Sequence, residues 1–134
     1  MNIVTVTGGI RGQREKAESM AHYVIQKLMP RMRTLNIEIE IKDFEGDDSC
    51  GYCLPAGHAD PSRPRDFEIE INRYLDMRTM LETVAHEMVH VKQYARKELF
   101  ETSVGKHRWL DEWYDDSKLS YWDLPWEIEA HGRE

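Results

Sequence analysis

"ETVAHEMVHVKQYA" fills positions 82 to 95, and whether it forms a helix decides how the rest of the chain can be arranged. The spacing of its apolar residues answers that. Met77, Met80, Leu81, Val84, Met88, Val91 and Ala95 fall on one stripe, and Asp76 stands where an N-cap would open a helix running to about Lys97. At about 100° per residue, His86 and His90 lie on the opposite side with Thr79, Thr83 and Gln93. The apolar stripe therefore does not account for the two histidines.

Upstream, "NIVTVT" at 2 to 7 is β-branched and ends in two glycines, which reads as a strand and a turn. A packing helix follows from about Gln13 to Met29, where Ala17, Met20, Ala21, Val24, Ile25 and Leu28 recur at helical spacing and Pro30 supplies the stop. "NIEIEIKDF" at 36 to 44 and "DFEIEIN" at 66 to 72 alternate apolar with charged residues, as strands with one wet face do, and Glu38, Glu40, Glu68 and Glu70 form that face. The Gly-, Pro- and Asp-rich stretch between them has room for a short strand near Tyr52 to Leu54. Beyond the histidine helix the chain is aromatic-rich and reads as loop until Pro125, which suits the first turn of a last short helix. Trp109, Trp113, Trp122, Trp126, Tyr114 and Tyr121 are expected to pack rather than to line a cleft. The expectation is one α+β domain spanning residues 1–134. It comprises a small, mostly antiparallel sheet, a packing helix, the histidine helix and a short C-terminal glutamate helix.

With 134 residues, 40% of them apolar, and four Trp and six Tyr, the chain has material for a core and too little polarity for disorder. Its net charge of −7 repels a phosphate backbone, and "PSRPR" at 61 to 65 is its one basic concentration, so nucleic acid is not an expected partner. No charged n-region opens the chain and no run of eighteen apolar residues occurs. A cytoplasmic protein without membrane contact is expected. Cys50 and Cys53 form a Cys-x-x-Cys flanked by acids and glycines instead of opening a helix after a strand, which argues against a redox pair. Adding His58 leaves a structural zinc set one ligand short. Plain thiols in a hairpin or loop are the favoured reading.

Two histidines at i and i+4 project from one helical face about one turn apart, so both imidazoles can meet one metal ion at roughly 2.0–2.1 Å. Glu87, one position along, is displaced sideways; it can reach a water in an open coordination position, the place of a general base. Zinc brings such a water to a pKa of about 7, and hydrolysis of an amide is the natural use. A third ligand must come from elsewhere. Gln93 and Arg96 stand where a metzincin would carry its glycine and third histidine, which removes that option. "LPWEIEAHGRE" offers Glu127 or Glu129 on a short helix after Pro125; His107 is a weaker candidate. Tyr121 or His131 are candidates for stabilising an oxyanion opposite Glu87.

His86-Glu87-x-x-His90 followed by a helix-borne glutamate resembles the gluzincin zinc metallopeptidases, especially very small single-domain members and the ImmA/IrrE-type phage and bacterial proteases. That resemblance implies a zincin-like fold, a Zn²⁺ cofactor, a peptide or protein substrate, and hydrolysis with Glu87 as base. It implies Glu127 as third ligand, His131 in the place of an outer Asp or Asn, and Glu129 pointing elsewhere. It also implies that "DFEIEIN", just before the histidine helix, is an edge strand that binds extended substrate. The chain departs from the family in carrying His131 at the outer position and in leaving only about two helical turns after Pro125. A catalytically silent or latent zinc-stabilised binding module is the alternative. So is an interaction domain in which the motif is accidental.

Overall fold

A computed structural model of the chain describes residues 1–57, 63–96, 98–103, 106–109, 112–115, 127, 129 and 130. In chain order its elements are β1 (Ile3–Gly8), α1 (Arg11–Leu28), β2 (Asn36–Lys42), β3 (Gly51–Pro55), β4 (Asp66–Asn72), α2 (Met77–Ala95), β5 (Leu99–Ser103), β6 (Lys106–Trp109) and β7 (Glu112–Asp115). Each of the sequence-expected strands and both long helices forms within a few residues of its expected place. Among the described residues, no helix is long and apolar enough to cross a membrane.

The first four strands make one sheet in the order β1-β2-β4-β3. β1 and β2 are parallel, with Val4 opposite Ile37, because α1 carries the chain back to the starting end of the sheet. β2 and β4 are also parallel, Ile39 facing Ile69, since β3 runs back between them in sequence. β3 then pairs antiparallel with the far side of β4, Cys53 opposite Ile69. The α+β class stands, but the expected mostly antiparallel sheet is corrected to a mixed one in which two of three pairings are parallel. The physical reason is that both helices cover the same face of the sheet. Parallel strands normally lose their alternation because both faces are covered; here the other face stays wet, so the alternation survives and mimics an antiparallel pattern.

The buried face carries Ile37, Ile39 and Ile41 of β2 and Phe67, Ile69 and Ile71 of β4. Against it pack Ala17, Ala21, Val24 and Ile25 of α1 with Met80, Val84, Met88, Val91 and Ala95 of α2. Each fully buried Ile or Phe side chain contributes about 1.5–3 kcal/mol relative to exposure. On the opposite face Glu38, Glu40 and Glu68 are exposed, and Glu70 pairs with Lys42 at 3.0 Å. At the turn after β1, Gly8 holds φ +76° and an added Cβ would stand 2.1 Å from the Ile41 carbonyl oxygen, a place for glycine alone.

Asp76 caps α2 as expected, accepting from the Thr79 N–H at 2.7 Å. At the other end Arg65 donates to the Ala95 carbonyl at 3.0 Å, and the helix stops there rather than at Lys97. Where loop was expected after it, β5, β6 and β7 form an antiparallel sheet. Successive strands are two residues apart in sequence, the spacing of tight hairpins, and the aromatic residues masked that signal. Glu127, Glu129 and Ala130 are helical, where the glutamate helix is expected; Pro125 lies outside the described residues.

Candidate metal centre

α2 is buried on more than its apolar stripe: Thr83, His86, Glu87, His90, Lys92 and Gln93 are buried as well. Side chains at i and i+4 meet one turn apart. The His86 and His90 rings do so with centroids 4.9 Å apart and planes at 82°, which lets both Nε2 atoms converge on one point.

Glu127 occupies the other side of that point. Its Oε2 lies 3.0 Å from His86 Nε2 and its Oε1 3.0 Å from His90 Nε2. The side chains retain only 9%, 9% and 12% exposure, and one donor atom from each lies within 4.8 Å of the others, a group that could hold a metal ion. The donor set fits one: two imidazole nitrogens and a carboxylate are zinc ligands, and tetrahedral bonds of 2.0–2.1 Å place neighbouring donors roughly 3.3 Å apart. Electrostatics are compatible with this, since a buried carboxylate must be paired or hydrogen-bonded, and an imidazole N–H, an imidazolium or a cation between the nitrogens would each serve. Burial lowers the His90 pKa, but hydrogen bonding and charge from Glu127, then the charge of Glu87 and the Gln93 hydrogen bond, leave it raised above its ordinary 6.5. The same field that holds a proton there would hold a cation.

Of the two candidate glutamates, the structure brings Glu127 to the histidines. Glu129 instead accepts from Lys92 Nζ and Gln93 Nε2, each at 2.9 Å. Glu87 is buried and outside the donor group, and its charge is felt at Cys53 on β3. Burial first, and the Glu87 carboxylate second, hold the Cys53 thiol well above its usual range, so it is a poor nucleophile. Cys50 is exposed, and both cysteines are free. His58, Tyr121, His131, Trp122 and Trp126 lie outside the described residues, as do the side chains of His107, Trp109, Trp113 and Tyr114.

The expected substrate strand needs correction. "DFEIEIN" is β4, which is paired on both sides, with β2 and with β3, so it has no free edge for a peptide. β3 is one of the two terminal strands of this sheet and lies against α2, with Gly51 next to Thr83. Sequence reasoning also gave Lys92 and Gln93 no part in the site. Gln93 Oε1 lies 2.7 Å from His90 Nδ1, and its position three residues on, on the same helical face, is the signal that could have found it. Compared with protein-family models, with curated proteins and with solved structures, the chain shows no match in any of the three.

Proposed function

We propose that this chain is a zinc-dependent peptidase of the gluzincin type, in which His86, His90 and Glu127 hold the ion and Glu87 is the general base. One observation carries the reading. The two carboxylate oxygens of Glu127 each lie 3.0 Å from an imidazole Nε2, one on His86 and one on His90, on the helix where Glu87 follows His86. Three donors leave the fourth tetrahedral position for solvent or substrate, the pattern of catalytic rather than structural sites.

A zinc ion in this set would supply Lewis acidity, polarising a carbonyl and bringing a water's pKa toward about 7. The chain's own residues do the rest. His86, His90 and Glu127 bind and orient, and their burial excludes bulk water. The Glu87 carboxylate takes a proton from the attacking water and gives it to the leaving amine. Because the charge of Glu87 is felt at Cys53 on β3, the edge of that strand is where an extended peptide or protein segment would be added near it.

The test is cleavage of a mixed library of fluorogenic peptides by zinc-loaded protein and by Glu87→Gln. Loss of 10²–10⁴-fold in turnover with zinc still bound is the expected result, the usual span for a general base. Unchanged turnover in that variant would sink the assignment. The near-closure of the donor group favours a second reading, a zinc-stabilised binding module without turnover. Bound zinc with no cleavage by the wild-type chain would identify it.

A further inference from the structure

We propose that Gln93 and Glu129 are positioning residues of the metal centre: Glu129 orients the Gln93 amide, and Gln93 fixes the His90 ring so that Nε2 offers its lone pair beside Glu127. The inference rests on the metal-centre reading above and goes beyond it.

Donors and acceptors fix how the Gln93 amide turns. Glu129 has only acceptor oxygens; Lys92 Nζ donates to Oε2 and Gln93 Nε2 donates to Oε1, each at 2.9 Å. A side-chain amide is nearly the same shape at both ends, so its partners decide which way it turns. A carboxylate accepts no other end than the NH₂ group. The Gln93 carbonyl is thereby left facing His90 Nδ1 at 2.7 Å. A carbonyl can only accept, so Nδ1 carries the proton, and in the neutral ring Nε2 carries the lone pair. That nitrogen is the one 3.0 Å from Glu127 Oε1.

Gln93 is fully buried and Lys92 nearly so, which keeps bulk water from taking over either contact. Burying an amide and an ammonium costs free energy unless every hydrogen bond is made. Lys92 also lies 2.8 Å from Glu98 Oε1, just ahead of β5, so one ammonium ties that segment and the glutamate segment to α2. Two residues of one short helical segment thus divide the work. Glu127 faces the ion and Glu129 is the strut that holds the segment and, through Gln93, the ring.

The experiment reads the His90 tautomer by ¹⁵N NMR in zinc-loaded wild-type protein, and zinc affinity by chelator competition in three variants. The expected spectrum has a protonated Nδ1 and a metal-bound Nε2. Gln93→Leu, which removes the acceptor, should lose roughly 10–100-fold in zinc affinity, the usual effect of deleting an outer partner of a ligand histidine. Glu129→Gln should lose less, because the amide is freed to turn but still present. The exchange Gln93→Glu with Glu129→Gln swaps donor and acceptor while keeping an acceptor on Nδ1, and should restore most of the affinity. A merely structural role would lower thermal stability in these variants without moving tautomer or affinity, and that result overturns the inference. So does a zinc-loaded wild-type protein whose bound nitrogen is Nδ1, a readout that stands even if a variant fails to fold. Wild-type protein that takes up no zinc overturns the metal reading and this inference together; the other outcomes touch the inference alone.

Discussion

A buried carboxylate set between two imidazole nitrogens favours positive charge there, and His86, His90 and Glu127 form such a group in a place nearly closed to water. Glu127→Ala should weaken zinc binding by more than the roughly 10–100-fold expected of an outer residue, and Glu129→Ala by no more than that, measured by chelator competition. The reverse ranking would make Glu129 the ligand. The second prediction concerns pH. The raised pKa of His90 means that the metal-free fold holds a proton there more tightly than the unfolded chain does. The stability from that proton is complete below about 6.5 and is lost as pH rises through the raised value. Metal uptake must expel the same proton. The rise in melting temperature on adding zinc should therefore be larger at pH 8 than at pH 6, and a rise independent of pH would argue against His90 as a ligand. The convergence of His86 and His90 was legible because one helix fixes their spacing. Glu127 and Glu129 share a turn, so nothing local separates them; only the partners of α2, more than thirty residues away in sequence, do.

At the scale of elements, the sheet places α2, and β3 is the closest test of how. Gly51 opens that strand with no space for a side chain: an added Cβ would lie 2.8 Å from the Glu70 carbonyl oxygen and 2.9 Å from Thr83 Cγ2 of α2. Gly51→Ala should cost about 1–3 kcal/mol as β3 is pushed from the helix, read by denaturant unfolding. Ile71→Ala, in the core beside it, should cost about 2–5 kcal/mol. A neutral Gly51→Ala would mean that β3 does not sit against α2 as described. Element types came readily from the sequence, because alternation at Ile37, Ile39 and Ile41 and helical spacing at Met80, Val84, Met88 and Val91 are local facts. Strand order and direction did not. Alternation records which face is wet, not which strand lies alongside, so the parallel ladders and the burial of β4 between β2 and β3 left no local trace. In β5 to β7 the same limit ran the other way: short strands of charged and aromatic residues carry no clean period.

For the whole molecule, the centre joins parts of the chain far apart in sequence. α2 supplies two donors, the helical residues near position 127 supply the third, and Lys92 ties them and Glu98, just ahead of β5, to α2. A ligand that binds only this folded arrangement stabilises it by mass action, about 4 kcal/mol at a free concentration a thousand times its dissociation constant. Stripping with a chelator should lower the melting temperature, and returning zinc should restore it.

The most direct measurement is metal content per chain, by elemental analysis of protein purified without chelators or a histidine tag, beside the double variant His86→Ala with His90→Ala. Near one zinc per wild-type chain and none in the variant is the predicted result. No metal in the wild-type chain, with no thermal stabilisation on adding zinc, would contradict the account and leave His86, His90 and Glu127 as a buried hydrogen-bonded cluster.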